Sequence, residues 1–217
     1  LAAPLLPAGP LLDELGQSLA RRWPGRTGSE QELVDRLAEQ FHSAGERRWP
    51  EGFSRWGGWL GRRWTATGFF RTAFEEGRWW LVDPDGHPFW STGLDCVGLN
   101  AETAITGIES ALSWLPPANG PFALAYERGH WGQQAFNYMA ANFIRPFGAE
   151  YHEHWAEIAL SLMRDWGFNT VANWSDLRAA SRAGFPYVRP LRDEFQRSRL
   201  VYRTFPDVFD PAFQEDA

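Results

Sequence analysis

The sequence predicts an α/β fold: the first two or three strand-helix units of a (β/α)8 TIM barrel, preceded by a helical lead-in and a β-hairpin. Three observations carry that expectation. Between Trp155 and Asp176 an amphipathic helix runs through Gly167 into Thr170-Val171-Ala172, a short apolar run of the kind a parallel strand covered on both faces requires. A second, shorter helix follows, and Pro186-Tyr187-Val188-Arg189 reads as the start of a further strand. Upstream, the stretch from Phe89 to Gly98 is extended and apolar, and its latter part reads as the first barrel strand, finishing near Asp95 to Asn100. A full barrel takes about 250 residues, yet only 217 − 89 = 128 lie beyond Phe89, so an incomplete barrel is expected.

Two parts are expected along the chain, a lead-in over residues 1–63 and the early barrel over 64–217. Residues 1–28 are rich in proline, glycine and leucine, with a helical candidate from Leu11 to Arg22. Ser29-Glu30-Gln31-Glu32 is a capping box, and Leu33, Val34, Leu37, Ala38 and Phe41 follow at helical spacing. From Gly45 to Arg63 the chain turns irregular. Arg78–Val82 and His87–Ser91 flank Asp83-Pro84-Asp85-Gly86, in which proline presets a turn and glycine accepts a positive φ, so the two segments should pair as a hairpin. Residues 101–150 show little periodicity and read as a long loop forming a wall or lid. On the helix that follows, Trp155, Ile158, Ala159, Leu162 and Trp166 form one stripe, with Glu157, Ser161, Arg164 and Asp165 mostly off it. Asp176 is the expected N-cap of the shorter helix and Gly184 its stop.

Composition narrows the function. The net charge of −6, with both signs scattered, argues against nucleic acid as a partner, and no apolar run reaches membrane-helix length. All 21 basic residues are arginine, which removes Schiff-base and general-base lysine chemistry. Cys96, the single cysteine, reads as a small core residue. The chain starts with Leu1 rather than methionine and is expected to be a piece of a longer protein, with any export signal upstream. Thirteen tryptophans are several times the usual share; an indole packs on the apolar face of a sugar ring while its N–H donates, although the plainer use of most of them is core packing.

Ligands of parallel α/β folds bind at the carboxyl ends of the strands, so the polar residues there are the candidate contacts. Asn173 can both donate to and accept from hydroxyl groups, and Trp174 can stack on a ring. Asp95 and Asp176 end adjacent expected strands, where they serve either as ligand contacts or as local orienting and capping groups. Asn100 and, within the long loop, His130 complete the set. His152 and His154 flank Glu153 but point about 200° apart on a helix and read as surface residues. No phosphate loop, nucleophile elbow, dinucleotide fingerprint or metal-ligand spacing occurs, and no cofactor is expected.

The segment GFFRTAFEEGRWWLVDPDGHPFWSTGLDCVG, from Gly68 to Gly98, together with WGFNTVANWSD, from Trp166 to Asp176, resembles the agarase-type glycoside hydrolases of family fifty. LGQSLARRWPG and FPDVFDPAF extend the likeness over most of the chain. The resemblance implies a (β/α)8 barrel of the clan of retaining glycosidases that cuts β-1,4 linkages of agarose, and an exported, secreted or periplasmic bacterial protein whose partner is an agarose-like galactan. Retaining hydrolysis uses two carboxyl groups about 5–5.5 Å apart. In such barrels they belong to the ends of strands four and seven, which are expected beyond Ala217, so no residue of this sequence takes over either role. A carbohydrate-binding or scaffold protein without catalysis, or a barrel glycosidase acting on another sugar, such as a galactosidase or mannanase, remains open at this point, as does the oligomeric state.

Overall fold

The computed structural model describes residues 9–129, 132–190, 198–203 and 205–216. Its first regular element is helix α1, Glu30–Ala44. Ser29 caps it in extended conformation, its hydroxyl accepting from Glu32 N at 3.2 Å, while the Glu32 carboxylate reaches back to the N–H of Gly28 rather than to that of the cap. Leu33 and Leu37 pack with Leu15 from the lead-in and with Phe143, Trp155 and Ile158, so residues on both sides of position 63 share one core cluster. The helix expected over Leu11–Arg22 does not form. Asp13 Oδ1 instead accepts from the backbone N–H of Leu15 and Gln17, at 3.0 and 2.8 Å, and Oδ2 binds Arg26; the short carboxylate outcompetes the helical backbone pattern.

Strands β1, Arg71–Glu75, and β2, Arg78–Val82, form an antiparallel hairpin across Glu76-Gly77, both in left-handed conformation. This corrects the expected pairing of Arg78–Val82 with His87–Ser91. Asp83-Pro84-Asp85-Gly86 does turn the chain, with Asp83 N–H donating to His87 O at 2.8 Å, but the second arm contributes only a bridge from Pro88 to Val82 before it leaves. Phe89 N–H still donates to Leu81 O at 2.8 Å, while Pro88 O turns away from β2 to accept from Trp59 N at 2.7 Å, and past this point the arm diverges.

Strand β3, Gly93–Leu94, opens the parallel sheet, and its partner arrives after an excursion that is far from structureless. Strands β4, Glu102–Ala104, β5, Tyr126–Arg128, and β6, Gln134–Asn137, make an antiparallel sheet in the order β4-β6-β5. Helix α2, Tyr138–Phe147, follows directly, capped by Asn137 Oδ1 on Ala140 N at 2.9 Å. The expected aperiodic loop over 101–150 is therefore a sheet and a helix. The helical signal is blurred because α2 is buried on two sides: Ala140, Ala141 and Ile144 join the Phe136 cluster, and Phe143 joins the α1 cluster. Pro146 in its last turn obscures it further.

Helix α3, Tyr151–Asp165, and strand β7, Thr170–Val171, then return the chain beside β3, parallel to it, and helix α4, Leu177–Arg182, comes next. Both helices end in the same way. Gly167 donates to Arg164 O and Phe168 to Met163 O, as Gly184 does to Ser181 O and Phe185 to Ala180 O, each glycine at positive φ. This Schellman ending satisfies the last carbonyls and turns the next apolar residue back onto its own helix. After α4, Tyr187 bridges Val171 in parallel, giving the order β3, β7, Tyr187. Leu160, Met163, Val171, Ala180 and Phe185 form the cluster beneath them. Strands β8, Leu200–Tyr202, and β9, Phe205–Pro206, and helix α5, Pro211–Asp216, complete the described residues. The fold is mixed α/β with small sheets, and the described residues close no barrel.

Three side-chain expectations change. Trp166 is 63% exposed and lies off the buried stripe, because α3 ends at Asp165 and Trp166 is its C-cap. Ser161, expected on the outer face, is buried and accepts from Arg47 Nη1 at 2.8 Å. Cys96 is exposed and adopts φ 58°, a loop residue rather than a core one. Of the tryptophans, only Trp155 belongs to the buried core among the described residues, whereas Trp59, Trp79, Trp90 and Trp174 are more than half exposed.

Candidate functional site

At the carboxyl ends of β3 and β7 the chain makes two loops that are laced together. Asp95 Oδ1 accepts from Asn173 N at 2.9 Å, Cys96 N–H donates to Asn173 O at 2.9 Å, Val97 N–H to Ser175 Oγ at 3.0 Å, and Asp176 N–H to Val97 O at 2.8 Å. Cys96 at φ 58° and Trp174 at φ 57° take the left-handed region within these loops. For residues with a Cβ that conformation costs about 1–2 kcal/mol each, a cost retained where surrounding contacts impose it.

Asp176 has two separate duties. Its Oδ1 accepts from Arg178 N and Ala179 N, both at 3.0 Å, which caps α4, while Oδ2 lies 2.8 Å from His152 Nε2 on α3. The bridge stands in the wall of a 280 Å³ cleft. Leu99 and Asn100 from the loop after β3, Glu127 from β5, Asn137 from β6, Tyr151 and His152 from α3, and Ser175 beside Asp176 line it. The Tyr151 phenol is pushed up by burial, and then by the negative charges of Glu127 and Glu153, so it keeps its proton and remains a donor at neutral pH. Polar groups from five segments thus converge in a recess able to offer donors and acceptors together, with two carboxylates and no guanidinium among the described residues of its lining. That set suits a neutral, hydroxyl-rich ligand.

The structure brings Asn100 and Asp176 together in this cleft, and it places the other expected residues differently. Asp95 and Asn173 are committed to each other, with Asn173 Oδ1 also accepting from Trp174 N at 3.0 Å; neither lines the cleft. Trp174, next in sequence to the cleft residue Ser175, is 57% exposed and is not part of the lining. His130 lies outside the described residues. Ser175, between Trp174 and Asp176 in the polar tip after β7, also lines the cleft, whereas Glu127, Asn137, Tyr151 and His152 carry no sequence signal for it. His152 was read as a surface residue, but it is half-buried against Asp176, and the cap signal at Asp176 was the one local hint of where its partner would be.

A larger cavity of 670 Å³ lies between the end of α1, α3 and α4, on the helix side of the same bridge, and a 300 Å³ recess at the amino ends of β3 and β7 is lined by Phe53, Trp59 and Trp90. Size favours the first; convergence of unlike polar groups at strand carboxyl ends favours the smaller cleft, and chemistry follows the polar groups. No helix among the described residues is long and apolar enough to cross a membrane, and none of their His, Cys, Asp and Glu residues gather in threes fit to hold a metal ion.

No family model matches the sequence. Among characterised proteins it is 31% identical to beta-agarase B of Vibrio sp. (strain JT0107), a match covering 76% of this chain and 20% of that protein. It is 32% identical to beta-agarase A of the same strain over 52% of this chain and 12% of the relative. The chain thus spans about a fifth of the length of the first of these relatives. Among solved structures, the agarase AgWH50C superimposes with a TM-score of 0.73 at 29% identity, over 96% of this chain and 34% of that one. An exo-beta-agarase gives 0.72 at 25% identity, over 96% and 36%. The relatives of this chain are beta-agarases, its structural neighbours are agarases of the family-fifty type, and the chain is homologous to a part of them.

Proposed function

We propose that this chain is a portion of a β-agarase, a retaining glycoside hydrolase that cuts the β-1,4 bonds of agarose, and that it supplies one side of the polysaccharide cleft. The observation that supports this most is the superposition of 96% of the chain on an agarase, with a polar cleft at the carboxyl ends of its parallel strands. In this reading β3, β7 and the strand at Tyr187 are the first three strands of a (β/α)8 barrel, α3 and α4 are its first two helices, and residues 1–63 are the lead-in. The parallel order, the two matching helix endings and the intervening helices fit such a barrel.

Hydrolysis with retention requires a nucleophilic carboxylate and a protonated carboxyl on either side of the glycosidic bond. Asp176 is occupied in capping α4 and binding His152, and Asp95 in holding the Asn173 loop, so neither carboxylate is poised for attack. The two catalytic glutamates belong to later strands of the longer polypeptide. The residues of this chain bind and orient: Asn100, Tyr151, His152 and Glu127 address sugar hydroxyls, and Trp174 offers a face to a sugar ring. The polymer substrate places the enzyme outside the cytoplasm, as a secreted or periplasmic protein.

The test assays the longer polypeptide and this chain side by side on agarose and related galactans, following the anomeric configuration of the products. The longer protein should release agaro-oligosaccharides with retention and this chain none. Hydrolysis by residues 1–217 alone would overturn the placement of the catalytic groups. Binding of agarose by the longer protein without hydrolysis would make it a carbohydrate-binding protein instead.

A further inference from the structure

We propose that Glu127, on the edge strand β5, is a specificity-determining residue of the cleft: its carboxylate, fixed by the buried amide of Asn137, accepts from hydroxyl groups of a neutral galactan and repels sugars that carry sulfate esters. The inference rests on the agarase reading and adds a residue and a discrimination to it.

The β4-β6-β5 sheet has two chemically different faces. Tyr126 opposes Phe136 on the core side, where both join the cluster with Ile105 and Tyr138. Glu127 opposes Ala135, and Asn137 lies two residues along β6 on that same side. Asn137 is only 1% exposed and all its side-chain capacity is directed: Oδ1 caps α2, and Nδ2 donates both to Leu99 O and to Glu127 Oε1, the latter at 2.9 Å. One buried amide therefore ties together the loop after β3, the start of α2 and the Glu127 carboxylate. A surface glutamate without such a partner would sample many rotamers; this one is held while its residue stays exposed to a ligand.

Position decides what the fixed carboxylate does. Glu127 lines both the 280 Å³ cleft and an adjoining 520 Å³ recess bordered by Tyr126, Arg128 and Gln134, so a chain of sugars leaving the cleft along β5 must pass it. An ionised carboxylate accepts from a hydroxyl in a short, charge-assisted hydrogen bond, and two vicinal hydroxyls can share its oxygens. With Asp176 in the same lining and His152 already bound to it, the described residues of the cleft give a sulfate no free cation; Arg128 borders only the adjoining recess. Like charges facing each other in a confined recess are a means of rejecting the wrong ligand.

The experiment uses the complete polypeptide that contains these residues and compares hydrolysis of neutral agarose oligosaccharides with that of sulfated galactan oligosaccharides of equal length. Glu127→Gln keeps size and removes the charge. It should raise KM for the neutral substrate about tenfold with kcat altered less than about threefold, the loss expected when a hydrogen bond to a charged group becomes a neutral one. At the same time the preference for neutral over sulfated substrate should fall by a similar factor. Glu102→Gln, across from Asn137 on β4 but outside the cleft lining, should change neither. Unchanged KM and unchanged preference in Glu127→Gln would overturn the role of Glu127 while the agarase reading stands. Absence of any action on agarose by the unaltered protein would overturn that reading, and this inference with it.

Discussion

Residues 151–190 and residues 101–150 face the same cleft from two sides and are built on opposite rules. The first stretch repeats a local device: a helix ends in a glycine-centred turn, the next apolar residue folds back onto it, and a parallel strand follows, once at Gly167 and again at Gly184. Each step involves residues a few positions apart. The second stretch depends on distant pairing, with Glu102 opposite Asn137 and Leu12 bridging Leu112. Regular repetition gives the strand ends their position, and the irregular excursion supplies the wall that carries Glu127 and Asn137.

The comparison breaks most severely at Val171, which is fully buried against Met163, Ala180 and Phe185 beneath the parallel strands. Val171→Asp places an unpaired carboxylate there, and burial without a partner should cost about 4 kcal/mol or more. Chemical denaturation followed by circular dichroism should show the cooperative transition lost; a midpoint near the original would mean that this cluster does not organise residues 151–190.

Phe136→Ala asks the same of the excursion. Phe136 is wholly buried and meets Trp114, Tyr126 and Tyr138 with ring centroids 4.9–5.7 Å apart. Its truncation should cost about 3–5 kcal/mol. Hydrogen exchange should then accelerate through β6 and α2 while amides of α3 and β7 stay protected. Equal acceleration in both would show a single cooperative unit and remove the distinction.

Most of 151–190 is readable in the sequence for a physical reason. The α3 stripe, the glycine stops, the Asp176 cap and the apolar run at β7 are consequences of neighbours one turn or one residue away. Where that reading failed at Ser161, a nonlocal contact with Arg47 decided; in the lead-in a local one did, Asp13 accepting from Leu15 and Gln17 and replacing a helix with a pinned loop. The cleft was half legible. Asn100 and Asp176 could be found because strand ends could be found, whereas Glu127 and Asn137 acquire their meaning only through the β5–β6 register, which no local pattern specified.

Alkaline pH should loosen the excursion first. Burial pushes the Tyr138 phenol, which donates to Trp114 O at 2.6 Å, up to about 12, and raises that of Tyr126 in the same cluster. A phenol with a raised pKa holds its proton longer folded than unfolded, so its contribution is complete below pH about 10 and is lost as pH climbs toward the folded value of about 12. Denaturation at stepped pH, with tyrosinate absorbance read in parallel, should show that decline between those limits. Tyr138→Phe should flatten it at the expense of one hydrogen bond.

The smallest effect separates strain retained for structure from strain retained for a ligand. Cys96 and Trp174 sit in left-handed conformation in adjoining loops, and both are exposed. Glycine adopts that conformation freely, so Cys96→Gly should raise stability by about 1 kcal/mol and leave saccharide binding as it was. Trp174→Gly relieves the same backbone but removes the exposed indole next in sequence to Ser175, so any gain in thermal midpoint should come with weaker binding of agarose oligosaccharides, read by calorimetric titration of the longer polypeptide. Weaker binding in Trp174→Gly alone would tie the left-handed conformation at Trp174 to the ligand. Equal affinity in the two variants would make both loops turns of the fold alone, and would move the binding surface away from β7 toward the Glu127 wall.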